Sequence, residues 1–274
     1  MSLPVLSSDP AATDATASAA RRARIMAVTS GKGGVGKTFL SANLAAALAR
    51  RGKRVLVLDA DLGLANLDVV LNLFPKVTLH DVFTGKNRLE EAILPAPGGF
   101  SVLLAGSGLV EYSRLTPEIR DQLLQIIDTV APRFDHIILD TGAGISDVVL
   151  YAVSMADEVL VIATPEPTSM TDAYAVIKVL ATQQRRQQIR LVVNQVGRAG
   201  DSRGIRGQLQ LVVDRFVTPL LPPGSGAPRL DLVGEIPLDP AVREAVKKRQ
   251  LLLELMPGCA AAQGVEAIAA RLDE

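Results

Sequence analysis

A single cysteine, Cys259, stands in 274 residues, so no internal disulfide can form and no multi-cysteine metal or iron–sulfur site can assemble. Cys259 is expected to be a small buried apolar residue. Charge of one sign is also lacking: 29 basic residues balance 29 acidic ones, and any contact with nucleic acid or an acidic membrane has to come from a local patch. No apolar run approaches the ~18 residues of a membrane span. Residues 1–23 have no apolar segment behind their arginines (Arg21, Arg22, then Arg24), which excludes a secretory signal. They read as a disordered tail ahead of one domain at 24–274, in a cytoplasmic protein. His80 and His136 have no partner nearby in sequence and are assigned no chemistry.

What is present is a core-forming chain, 48% apolar. Short apolar runs at 25–29, 55–59, 101–104, 136–140, 158–164, 189–193 and 232–236 alternate with helical patterns. The helices are expected at 38–51, 117–130, 146–156, 171–183, 205–217, 240–254 and 259–271. Runs that are apolar on both faces predict strands covered by helices on either side. The expected fold is α/β: a doubly wound, mainly parallel sheet of about seven to eight strands. In the helix at 38–51, Leu40, Leu44, Ala47 and Leu48 share one stripe. The Pro-rich segments 94–99 and 218–228 read as loops.

The first strand runs into Gly31-Lys32-Gly33-Gly34-Val35-Gly36-Lys37-Thr38, which fits the phosphate-binding pattern GxxxxGK[ST]. Bare glycine backbone can turn its N–H groups inward around a polyphosphate. Lys37 would neutralise the β- and γ-phosphates of ATP, and the Thr38 hydroxyl would ligate Mg²⁺. The following helix aims its positive end at the same anion. Asp59 and Asp61 end the second strand two residues apart. They read either as a water-mediated Mg²⁺ holder and an orienter of the attacking water, or as a cap and a solvated acid. Asp140 follows the apolar run Ile137-Ile138-Leu139 and is placed to reach the metal, with Thr141-Gly142-Ala143-Gly144 as a mobile sensor behind it. Lys32 is a second loop lysine, ordinarily just solvated. Asn194 offers a donor and an acceptor to a base edge, or forms a turn. Pro237 and Asp239 read as a strand end and an N-cap.

These residues resemble the MinD/ParA family of ATPases with a deviant Walker A motif, over about Arg24 to Leu272. The segment from Lys32 to Thr38 matches that family's KGGxGKT. The resemblance implies an ATP-dependent homodimer in which Lys32 crosses the interface to the phosphates of the other copy's ATP. It makes Asp61 the acid linked to hydrolysis and Asp140 the Walker B acid. It puts Asn194, Pro237 and Asp239 where adenine is recognised. Residues 59–68, 140–145 and 164–174 look like the flagellar FlhG/FleN branch. That branch implies control of flagellar number together with a signal-recognition-type GTPase (FlhF) or a flagellar transcription activator, at the cell pole or inner membrane. Two features of that branch are missing: residues 1–24 contain no DQAxxLR segment, and the last helix, with Glu266, Arg271, Asp273 and Glu274, is net acidic and suits anionic lipid poorly. A DNA-partitioning ATPase of the ParA type is the competing reading. It rests on Arg185, Arg186, Arg190, Arg198, Arg203, Arg206 and Arg215 as a grip on phosphates. A metabolic P-loop enzyme would need a substrate pocket that the sequence does not display, and a nitrogenase-type iron protein is excluded by the cysteine count.

Overall fold

The computed structural model describes residues 22–62, 66–106 and 116–274. Most of the expected tail and residues 63–65 of the flagellar-type stretch lie outside the described residues. In chain order the elements are β1 (Arg24–Ser30), α1 (Lys37–Arg50), β2 (Val55–Asp59), α2 (Leu67–Leu71), α3 (Leu79–Phe83), α4 (Leu89–Ala92), β3 (Ile93–Pro95), β4 (Ser101–Leu103) and α5 (Pro117–Val130). Then follow β5 (His136–Ala143), α6 (Asp147–Ser154), β6 (Glu158–Ala163), α7 (Pro167–Gln183), β7 (Gln188–Val196), α8 (Asp201–Phe216), β8 (Arg229–Pro237), α9 (Pro240–Lys248), α10 (Leu252–Leu255) and α11 (Ala260–Asp273).

The eight strands form one sheet in the order β3-β4-β2-β5-β1-β6-β7-β8. Every neighbouring pair is parallel except β3 with β4. This is the doubly wound sheet expected. Alternation along β1 explains its two layers: Ile25 and Ala27 face a core with α5 to α8, whereas Met26 and Val28 face α1, α9, α10 and α11. Leu40, Leu44 and Leu48 are completely buried, and each stabilises the fold by roughly 1.5–3 kcal/mol relative to an exposed side chain. Every residue from Phe39 to Leu48 is buried, so α1 is covered all round rather than along the single stripe expected. Its many alanines let α11 pack closely across it. No described helix is long and apolar enough to cross a membrane.

Two further local expectations are corrected. The helix at 240–254 is two helices, because Arg249 takes a left-handed conformation (φ 52°) and ends α9. Leu251, Leu252 and Leu253, which follow the break, are all buried in the α1 side of the core. The segment read as a loop from residue 94 begins with the end of β3, where Pro95 is tolerated because β3 is the sheet's edge. Helices α2 to α4, of five, five and four residues, are too short to show a period in sequence.

Candidate functional site

Buried β1 delivers the chain to the loop at the C-terminal edge of the sheet, and α1 leaves from it. Gly34 and Gly36 have left-handed φ values of 79° and 99°. A side chain at Gly36 would come within 2.5 Å of the Asn194 amide, and one at Gly31 within 2.1 Å of the Asp172 carbonyl oxygen. These glycines are required by packing as well as by any ligand. Gly36 caps α1 with no side chain, so no side-chain cap competes with an anion for the N–H groups of its first turn.

Lys37 is buried, and its Nζ donates to Ser30 Oγ at 3.0 Å. Burial lowers its pKa, while Asp140 and Asp61 pull it back up. It opens into a cavity of about 800 Å³ that Gly34, Thr38, Asp61, Asn66 and Gly142 also line. Asp59 and Asp140 sit opposite each other in the β2–β5 register, behind the cavity. Asp140 Oδ1 accepts from Ser41 Oγ at 2.8 Å, and the Thr38 hydroxyl also hydrogen-bonds this carboxylate. Asp59 Oδ1 accepts from the Asp61 N–H at 3.1 Å, but its Oδ2 is buried with no partner. Burial raises Asp59 well above the usual carboxylate range, with the charge of Asp140 adding to it. Ser41 is the residue that sequence reasoning missed; it lies one turn beyond Thr38 on α1, a spacing that could have flagged it.

Two buried carboxylates facing each other across neighbouring strands, one with an orphaned oxygen, suit a bound cation. Among the described residues no group of three or more His, Cys, Asp or Glu could enclose a metal alone. A site of this type suits Mg²⁺, which keeps its waters and shares phosphate oxygens with one or two carboxylates. Thr38, Asp59 and Asp140 are the residues that fit it.

Burial lifts the Asp140 carboxyl from 3.8 to about 6. The folded chain therefore holds a proton that the unfolded chain has already released. The resulting loss of stability is absent below the unfolded pKa and complete above the folded one, with a ceiling of about 3 kcal/mol. Asp140→Asn should accordingly be more stable than the parent at pH 7.5, with the gap closing towards pH 4. Urea unfolding at three pH values checks this, and a variant less stable throughout would count against it.

The remaining expected site residues also have partners of their own within the chain. Asn194 Nδ2 donates to the Val35 carbonyl at 2.7 Å, and its Oδ1 accepts from the Gln195 N–H at 2.8 Å. Its amide thus braces the loop from β7, and both ends of the group expected at the adenine edge are in use. Asp239 accepts from the N–H groups of Ala241 and Ala261, fastening the starts of α9 and α11, while Pro237 ends β8. Lys32 turns away from the cavity: its Nζ donates to Glu166 at 2.7 Å and to Thr168 Oγ1 at 3.0 Å.

The protein family described as an AAA domain matches residues 23–193. The chain is 41% identical to the antiactivator FleN of Pseudomonas aeruginosa, over 91% of this chain and 86% of that one. It is 32% identical to the flagellum site-determining protein YlxH of Helicobacter pylori, over 91% and 81%. The solved septum site-determining protein MinD of Pyrococcus horikoshii, complexed with Mg-ADP, is 27% identical and superposes with a TM-score of 0.73, covering 92% of this chain and 96% of its own. ATP and Mg²⁺ are the ligands of such a site. The chain belongs to the MinD/ParA family of P-loop ATPases, within its FleN-like flagellar branch.

Proposed function

We propose that this chain is an ATP-driven switch that sets flagellar number or placement by closing and reopening a homodimer. One observation carries the reading: the two lysines of one loop point in different directions. Lys37 faces the cavity from inside the fold, whereas Lys32 is on the outer surface and leaves it. A single copy therefore brings one loop lysine to its own phosphates. The second becomes useful when another copy supplies it, charge delivered in trans at the moment of reaction.

The chemistry is hydrolysis. Water adds to the γ-phosphorus, the β–γ phosphoanhydride bond breaks, and ADP and phosphate leave. Lys37 and the N–H groups that open α1 hold the β- and γ-phosphates. Thr38, Asp59 and Asp140 would hold Mg²⁺, which would supply positive charge against the phosphates. Asp61 aligns the attacking water. Asn194, Pro237 and Asp239, at the ends of β7 and β8, would border the adenine, and residues 24–274 act as one unit. A flagellar GTPase of the FlhF kind or a flagellar transcription activator then recognises the closed pair, in the cytoplasm or at a polar membrane surface.

The DNA-partitioning reading loses part of its basis in three dimensions. Arg186 donates to the Val153, Ala156 and Asp157 carbonyls, Arg190 pairs with Glu158, and Arg206 donates to the Leu230 carbonyl. Three of the seven arginines are thus spent inside the chain. Flagellar counts by electron microscopy test the proposal. Asp61→Ala, held closed, should suppress flagella, and Lys37→Ala should copy the deletion. Normal counts in all strains, together with lost DNA segregation and salt-sensitive DNA binding, would favour partitioning.

A further inference from the structure

β8 is the outer edge of the sheet: it pairs with β7 on one side and ends the strand order on the other. A strand in that place presents a row of backbone N–H and C=O groups to which an extended segment can add. The opposite edge is blunted by its length, since β3 has three residues and one of them is Pro95. β8 has nine residues, enough to pair, and is closed by other means.

Side chains occupy its outward backbone. Gln210 Nε2 donates to the Pro228 carbonyl and its Oε1 accepts from the Leu230 N–H, both at 2.9 Å. One side-chain amide thus takes the acceptor and the donor that an added strand would use. Asp214, one turn further along α8, accepts from the same Nε2 at 2.7 Å and holds the amide in this orientation. Arg206, one turn before Gln210, donates from Nε to the Leu230 carbonyl at 2.9 Å. From the other layer, Arg271 of α11 donates to the Leu232 and Val233 carbonyls at 3.0 and 3.3 Å. Those carbonyls lie at a register shift: Leu191 pairs with Leu232 but Val192 with Gly234, which leaves Val233 as an extra residue.

We propose that Arg206, Gln210 and Arg271 close the β8 edge against a second copy of this chain, which would otherwise add its own β8 there. The charges of the segment favour that occupant. Arg229 and Asp231 are both exposed and two residues apart. Two such strands set antiparallel about Leu230 would place Arg229 of each opposite Asp231 of the other, a self-complementary contact. An edge-paired dimer would form without ATP, and a nucleotide-governed switch has to prevent it. That consequence rests on the proposed ATP-dependent dimer, whereas the closing of the edge does not.

Each bond removed favours pairing by a factor of about two to twelve. Sedimentation without nucleotide of the triple variant Arg206→Ala, Gln210→Ala, Arg271→Ala reads the combined effect. It should dimerise at about tenfold lower protein concentration than the parent, or lower still. Hydrogen exchange over residues 229–237 locates the contact: protection should rise with concentration in the variant and stay constant in the parent. Affinity for fluorescent ADP should match the parent, because none of the three residues lines the nucleotide cavity. If the triple variant loses ADP binding, Gln210→Ala alone decides, with a smaller shift in the same direction expected and no shift overturning the proposal. A triple variant that binds ADP and stays as monomeric as the parent also overturns it. So does association with no gain of protection at residues 229–237. Because no nucleotide is present, failure of the ATP-dependent dimer cannot produce either result.

Discussion

Lys37→Ala is expected to lose ATP affinity by roughly 30- to 5,000-fold, the effect of truncating one partner of a buried, hydrogen-bonded charge pair. The size follows from where the lysine sits. Its ammonium is buried among Asp61, Asp140 and Ser30 at the wall of the cavity, and its lowered pKa records that water does not solvate it fully. A polyphosphate arriving there meets a charge that is already desolvated and oriented, and removing it leaves carboxylates facing phosphates. Calorimetric titration with ATP and Mg²⁺ measures the loss. Lys32→Ala is the control from the same loop and should bind a single ATP nearly as well as the parent, since its ammonium lies on α7. Equal losses in the two variants would show that the lysines are not divided in this way.

Asp61→Ala should bind ATP and form the dimer, yet turn over about 10²- to 10⁴-fold more slowly, the usual contribution of a positioned base or water-orienting group. Asp61 lines the cavity in front of the buried pair Asp59 and Asp140, so it can reach a water without serving as the metal's inner support. Its carboxylate also lies against Gly142, where an added Cβ would be 3.3 Å from Oδ2 and from Val149. A side chain at residue 142, near the end of β5, would crowd the Asp61 carboxylate. Single-turnover hydrolysis with sedimentation on the same samples separates chemistry from dimerisation. Parent-like turnover would assign Asp61 to structure.

How much of this was legible in sequence depends on the distance over which each feature is encoded. The phosphate loop, its lysines and the helix behind it are written within a dozen residues, and propensity and pattern are enough there. Asp59 and Asp140 were recognisable because each ends an apolar run, although their facing register is a property of the sheet. The partners of Lys32 were not recognisable, because Glu166 reaches it only after a strand crossover. The arginines of residues 185–215 read as a patch along the chain, but Arg186, Arg190 and Arg206 are each engaged by a different part of the fold. The bracing contact of Asn194 was hidden for a related reason: a strand-end amide suits a base edge, and only the fold reveals that it also reaches a loop carbonyl.

The strand order has a consequence during synthesis of the chain. The strand that carries the phosphate loop is made first, but its neighbours in the sheet, β5 and β6, end at Ala143 and Ala163. Until those residues leave the ribosome, the loop has nothing to lean on, and α7, which Gly31 touches, comes later still. At about 5–20 residues per second that interval lasts roughly 7 to 27 seconds. Throughout it a nascent chain exposes an apolar first strand and a glycine-rich segment unable to hold nucleotide. Such non-local pairing makes folding slow and leaves strand edges open to aggregation.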